Sequence, residues 1–475
     1  MLKTIKRKFI GSKEFYKSVL AILLPIVLQN AITTFVNLLD NFMVGSIGTE
    51  AMSGVAVVNQ LVFVYNLCIF GGLAGAGIFS AQYYGNNDPD GIRYCVRFKL
   101  IACTLIWAVA TAVLVIFHEP LLKLFLNEGG NTGNLELAYE QAKEYLFVIL
   151  FTLLPFYITM VYTSTLRETG ETLLPMKSGL IAVCVNLLFN TLLIYGYLGF
   201  PALGVKGAAL GTLIARLVEV VIIVCYTHKN KKRFTFIEKV YKTLKIPKRI
   251  FKKILAKGVP LFINEVIWSF GTTAILYCYS LRGLSVVAAF NISNSVNNLF
   301  SIVFISMGTA IAIMVGSVLG EGDKEKAKDT DTKLLALSIS VCFILALIMI
   351  ALSPVIPKIY NTTIEVRSLA TRFMMIVACF MPVHAFMHGT YFTLRAGGKT
   401  LVTFIFDSGA VSFLALPVAF VLAKFTALSI EMVYFLVLAV DLIKVVFGIV
   451  LLKKGVWLNN LVKEDKIEET KENVI

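Results

Sequence analysis

Residues 24–45 read LPIVLQNAITTFVNLLDNFMVG, and residues 259–278 read VPLFINEVIWSFGTTAILYC. At an offset of 235, Pro25 meets Pro260, and the register holds onward through Gly48 and Gly283, Asn59 and Asn294, Gly85 and Gly320, and Asp88 and Asp323. It carries QYYGNND (82–88) onto SVLGEGD (317–323). A second register, offset by 228, sets TLRETGET (165–172) on TLRAGGKT (393–400), with five identities in eight positions. A hydrophobic chain that repeats itself in this way implies two related bundles with a site between them, the build of many secondary transporters.

Composition supports that reading. Hydrophobic residues fill 57% of 475 positions and charged residues only 15%, with a mean hydropathy of +0.80. So few charges cannot cover a water-facing surface, so lipid covers much of this chain. Twelve apolar runs are long enough to span a bilayer, over residues 15–44, 51–84, 92–117, 136–166, 173–198, 206–227, 251–281, 285–319, 330–353, 366–394, 401–424 and 430–452. Their length exceeds that of a membrane β-strand, so the expected class is an all-α membrane protein. Its two pseudo-symmetric six-helix lobes are an amino-terminal lobe (1–227) and a carboxyl-terminal lobe (258–453). A basic linker (228–257) joins them and a charged tail (454–475) follows.

The net charge of +15 is concentrated beside the membrane spans. Twelve Lys or Arg face one acid, Glu238, between His228 and Lys257, and Lys3, Lys6, Arg7, Lys8, Lys13 and Lys17 open the chain. By the positive-inside rule both termini and the central linker are cytoplasmic, which requires an even number of spans. The charge thus has an explanation without nucleic acid. The first run continues too far for a removable signal peptide and reads as a signal anchor. Within the linker, residues 234–254 alternate apolar and basic side chains, a pattern suited to the inner membrane surface. The last residues, KEDKIEETKENVI, have the composition of a disordered tail. Eight cysteines are scattered without CxxC spacing, so neither a disulfide frame nor a metal cluster is expected.

Ionisable residues inside spans cost about 2.5–3.5 kcal/mol on insertion scales, so each is a candidate for function. Asp40 lies in the first span with Asn37 on the same helical face and Asn41 beside it. A carboxylate among amides can bind a proton or a small cation; toward the outer end of its helix it could equally face external water. Glu265 follows Pro260 by five residues and sits deep in span 7. Asp407 lies in span 11, close to its cytoplasmic start. His384 and His388 share a face of span 10, where pore-lining polarity is favoured over a metal because no glutamate or cysteine accompanies them. Arg216 with Glu219, and Asp441 with Lys444, are i,i+3 pairs that can neutralise themselves, although bridges to other helices are open to them. Pro25 and Pro260 bend or hinge the first helix of each lobe. The glycine-rich run 71–77 lacks the strand and the Lys-Ser/Thr of a phosphate loop, so small-residue helix packing is its reading.

The DNFMVGSIG of 40–48, the paired LRxxGxT turns, Gly85 and Gly320, and NLLFNTLLIYG (186–196) resemble a bacterial branch of the multidrug and toxic compound extrusion (MATE) family, over about residues 15–453. The resemblance implies a V-shaped pair of lobes in a bacterial plasma membrane, acting as a monomer without cofactor. It would export organic cations or other amphipathic compounds in exchange for H⁺ or Na⁺. It further implies that Asp40, Asn186, Asn190 and Thr212 form the coupling site of the first lobe. Asn190 stands where many relatives have a second aspartate. Glu265 would be the acid of the second lobe, whose usual partner falls at His384, leaving Asp407 to substitute. Fewer fixed negative charges and a histidine favour H⁺ over Na⁺. Gln29, Asn30, Asn37, His384 and His388 are the candidate cavity residues. A lipid-linked oligosaccharide flippase of the same superfamily is the alternative; it commonly has more spans and an arginine-lined cavity. No HExxH, GxSxG or P-loop speaks for an enzyme.

Overall fold

The computed structural model describes residues 9–127, 134–360 and 362–463; Asn37, a predicted cavity residue, is placed only in its backbone, and its side chain lies outside the described residues. The described residues form helices and turns, with no strand among them. Among the described residues, twelve helices are long and apolar enough to cross a membrane. In chain order these are α1 (Lys13–Gly45), α2 (Thr49–Gly85), α3 (Pro89–Ile116), α4 (Leu135–Glu168), α5 (Leu173–Tyr195) and α6 (Gly204–Lys229). The second six are α7 (Lys248–Ser280), α8 (Leu284–Glu321), α9 (Lys324–Leu352), α10 (Ile364–Ala396), α11 (Thr400–Phe425) and α12 (Ile430–Lys454). A short unpredicted helix, His118–Asn127, follows α3; there the Lys123 ammonium hydrogen-bonds Glu119 and holds its carboxyl below the usual range.

Local chemistry sets the helix ends. Asn134 accepts from the amides of Glu136 and Leu137 at the start of α4, and Asp323 accepts from Lys326 N at the start of α9, each satisfying donors that the first turn leaves open. The two LRxxGxT turns share one conformation. Gly170 and Gly398 both take left-handed φ, +79° and +69°. In each turn the amide after that glycine bonds back five residues, Glu171 to Leu166 and Lys399 to Leu394. These are Schellman closures, and the glycine is the residue that permits them. Outward faces are apolar: Ile101, Leu105, Val109, Val113 and Ile116 recur along one side of α3 and are exposed, as a lipid-facing stripe requires.

The chain divides into two compact units whose boundaries cut through α1, α2 and α7. Among the described residues, the amino-terminal unit comprises those of 24–80 and 89–255. Part of its linker is packed against protein. Phe234, Phe236, Ile237 and Val240 are buried, and Arg97 of α3 donates to the main-chain oxygens of Lys239, Val240 and Lys245 at 2.8–3.0 Å. Within 234–254 the protein's own helices thus cover these four apolar side chains, while Leu244 and Phe251 stay exposed. Tyr241 stacks on His228 and hydrogen-bonds Tyr162, and burial pushes its hydroxyl pKa up.

The carboxyl-terminal unit comprises residues 81–88 and 256–463, together with 9–23, among the described residues. Here Gly85 of α2 and Gly320 of α8 make mutual close approaches: a Cβ on Gly85 would lie 1.8 Å from Ser317 O, and one on Gly320 2.0 Å from Gln82 O. Gln82 donates to Ala396 O (2.9 Å) and accepts from Leu461 N (2.8 Å). The segment after α12 is thereby fastened to the end of α10, with Trp457 fully buried beneath it.

Candidate ion-coupling site

In the amino-terminal unit a cavity of about 430 Å³ opens among α1, α2, α4, α5 and α6. Asp40 lines it, with Asn190, Thr212 and Arg216 opposite and Phe63 and Phe156 among its apolar walls. Asn190 Nδ2 donates to Asp40 Oδ1 at 2.8 Å. The Asn186 amide, turned with its nitrogen toward Asp40, reaches Oδ1 at 3.0 Å, and Thr212 Oγ1 lies 3.3 Å from the same amide. Asn186 and Asn190 are four apart, so one face of α5 delivers both. Gly211 makes the approach possible, since a Cβ there would fall 2.1 Å from Asn190 Oδ1. Arg216 is held by Glu219 at 2.8 Å, as the i,i+3 spacing predicts, and lies over the Phe156 ring. Glu219 thus neutralises Arg216 from outside the cavity lining, and Asp40 is the carboxylate that lines the cavity. Two amides donating to one carboxylate stabilise it without a metal, and closing that carboxylate with H⁺ needs no further ligands.

The carboxyl-terminal unit holds a longer polar chain. Tyr391 Oη donates to Glu265 Oε1 at 3.2 Å, and Asn264 Nδ2 lies 3.5 Å from Tyr391 Oη and 3.1 Å from Asp407 Oδ2. Lys444 Nζ stands 3.8 Å from Asp407 Oδ1 and 3.8 Å from Asp441 Oδ1, and His384 Nε2 lies 3.4 Å from Asp441 Oδ2. Glu265 and Asp407 are thus brought into one network, and Lys444 bridges helices as well as closing on its own neighbour. Two backbone irregularities permit this. Residues 405–409 and 411–415 of α11 form π-helical turns, a geometry frequent at functional positions; Ser408 there donates its amide and hydroxyl to Asn264. α12 is interrupted at Val440, just before Asp441.

The other predicted residues are placed elsewhere. Gln29 is not in the Asp40 cavity; its Oε1 accepts from Arg167 Nη2 at 2.5 Å. Asn30 does not line that cavity either. His384 and His388 belong to the carboxyl-terminal unit, where the Phe304 ring packs on both, 4.9 Å from His388. No group of three or more His, Cys, Asp or Glu side chains among the described residues could hold a metal. Pro25 and Pro260 lie inside unbroken helices. Sequence reasoning missed Asn264, Tyr391 and Ser408, which carry no charge. It also missed Lys99, fully buried in α3 with Glu168 at 2.5 Å, although a lysine inside FKLIACTL is a visible anomaly.

The MatE family model matches residues 25–192 and 260–421. The chain belongs to the MatE family. The matched segments begin at Pro25 and Pro260, the same two points where the internal repeat begins. The probable multidrug resistance protein YoeA of Bacillus subtilis is 25% identical over 417 residues, covering 87% of this chain and 88% of that one. The probable multidrug resistance protein NorM of Thermotoga maritima is 26% identical over 422 residues, covering 88% of each. A solved MOP-superfamily transporter from Pyrococcus furiosus has the same fold, with a TM-score of 0.83 at 18% identity over 95% of this chain and 97% of that one. So has a mutant of the Vibrio cholerae MATE transporter VcmN, at 0.81 and 17% over 94% and 99%. A MatE chain with twelve apolar spans is a multi-pass membrane transporter, not an enzyme.

Proposed function

We propose that this MatE protein is a proton-coupled antiporter that exports cationic and amphipathic compounds across a bacterial plasma membrane, with both termini cytoplasmic. The observation that carries the reading is Asp40: a carboxylate inside a cavity of about 430 Å³, bonded by the amides of Asn190 and Asn186. Ionised, Asp40 attracts a cationic guest to a cavity whose aromatic walls accept flat apolar bodies. Protonated, it loses that attraction, and the guest leaves. Because H⁺ and substrate compete for one charge, a proton gradient can drive substrate outward; a ligand with equal affinity for both states would drive nothing. Two amides in place of a second carboxylate favour H⁺ over Na⁺, which prefers several anionic or carbonyl oxygens. The names of the relatives support multidrug substrates. In the carboxyl-terminal unit, Glu265 and Asp407 provide a second place for protons.

The test uses purified protein in proteoliposomes loaded with a fluorescent organic cation, under separately imposed proton and sodium gradients. Transport follows the proton gradient and is lost in Asp40→Asn. Undiminished proton-driven transport by Asp40→Asn would remove Asp40 from coupling.

A further inference from the structure

We propose that Asp331 of α9 is a proton-binding carboxyl that stays protonated in the folded protein, a site separate from the Asp40 cavity and from the Glu265–Asp407 chain. Thr393 Oγ1 lies 2.5 Å from Asp331 Oδ1 and 2.9 Å from the main-chain oxygen of Gly389. A hydroxyl owns one hydrogen, and a carbonyl and an ionised carboxylate only accept. With Asp331 ionised, one of these contacts sets acceptor against acceptor with nothing between them. With Asp331 protonated, its O–H donates to Thr393 and the Thr393 hydroxyl donates to Gly389, so both contacts are satisfied.

The amino-terminal unit contains the same arrangement with a different donor. In the 228 register Thr165 corresponds to Thr393 and Val161 to Gly389. Thr165 Oγ1 donates to Val161 O at 2.9 Å and accepts from Lys99 Nζ at 3.1 Å. Lys99 stands eleven residues after Asp88, and Asp331 eight after Asp323. Asp331 is therefore about one helical turn nearer its helix start, and the longer lysine side chain spans the difference. In both units a side chain of the third helix must donate to this hydroxyl. Lysine does so as it is; aspartate does so only with a proton.

Charge balance agrees. The ammonium of Lys99 is met by Glu168 at 2.5 Å, whereas the counterpart of Glu168 is Ala396. Asp331 is 3% exposed. Among the described residues no ion pair reaches it: on its own helix Lys326, Lys328 and Lys333 pair with Glu321, Glu325 and Asp329, and Arg395 of α10 lies over the Phe392 ring. Burying an ionised carboxylate without a partner is costly, and a group so placed becomes neutral instead.

Infrared difference spectroscopy of the purified full-length protein tests this. At neutral pH, wild type and Asp40→Asn both show a protonated-carboxyl C=O band that Asp331→Asn lacks. The asparagine amide can donate to Thr393 in the same place, so Asp331→Asn folds. Thr393→Val removes the acceptor and shifts the band to higher frequency. In a melting series the folded state of wild type holds a proton that the unfolded chain releases, so stability falls as pH rises, and Asp331→Asn loses this component. No band at neutral pH, a band unchanged in both variants, or identical pH profiles for wild type and Asp331→Asn would overturn the assignment. Failure of the Asp40 coupling reading leaves this band untouched, so the two are separable.

Discussion

Asn190→Asp tests the coupling site most directly. The substitution replaces an amide nitrogen 2.8 Å from Asp40 Oδ1 by a carboxylate oxygen. With both groups ionised at that separation, Coulomb repulsion is about 6 kcal/mol at an effective dielectric constant of 20. The lost charge-assisted hydrogen bond adds about 1.5–3 kcal/mol. A penalty of that size cannot persist, so the variant must take up a cation between the two carboxylates: a proton held in common or a bound Na⁺. In proteoliposomes, transport by wild type is driven by a proton gradient and indifferent to Na⁺. Asn190→Asp acquires a Na⁺ response, and its proton-driven transport at neutral pH falls at least tenfold because the shared proton is no longer released. The assay is substrate flux under separately imposed gradients, with ²²Na⁺ binding as a second readout. Unchanged proton-driven flux together with no Na⁺ binding would refute the placement of Asp40 and Asn190 as one site.

Three further outcomes follow from the packing. Gly85→Ala and Gly320→Ala each force a methyl to within about 2 Å of a main-chain oxygen, which exceeds what a side-chain shift can relieve. Each should lower stability by roughly 1–3 kcal/mol or more, read as a drop in apparent melting temperature in detergent, whereas Gly45→Ala, with only Met52 Sδ at 3.5 Å, changes little. Lys99→Met strands Glu168 and should cost about 3–5 kcal/mol, while Lys99→Met with Glu168→Gln costs less, because the unpaired charge is gone. Thermal melts of the single and double variants decide this. Arg97→Ala removes three hydrogen bonds to the linker; trypsin should then cut after Lys239, Lys242 or Lys245 faster than in wild type. Arg97→Lys should not restore protection, since an ammonium cannot present the guanidinium's fork to three carbonyls.

Span existence was legible because each span carries more apolar residues than a bilayer needs; the errors lie where polar residues continue a helix. The predicted start of α9 at 330 falls six residues late, since KEKAKDTDTK reads as a loop although Asp323 caps a helix that runs through it. A start at 330 puts Asp331 at the helix end, whereas the helix from Lys324 carries it about two turns inside, where it is buried. The linker shows a related limit. Alternating apolar and basic residues establish that one side will be covered, and lipid or protein can do so; Arg97, more than 140 residues away, ties the stretch from Lys239 to Lys245 to protein.

Charge pairing shows the same limit more sharply. The spacing of Asp441 and Lys444 predicts a contact within one helix, and the structure has it at 3.8 Å. Lys444 is equally far from Asp407, and helical periodicity contains nothing of that second contact. It depends on where α11 carries Asp407, which depends on the π-helical turns at 405–415, which are in turn tied to Asn264 of α7 through Ser408. An uncharged asparagine thus helps determine which carboxylates the buried cation serves. For that reason Asn264→Ala should disturb the Asp407–Lys444 pairing more than Asp441→Asn does, although only the latter changes a formal charge. A proton-driven flux less affected by Asn264→Ala than by Asp441→Asn would mean that the π-helical turns do not set the geometry of this cluster.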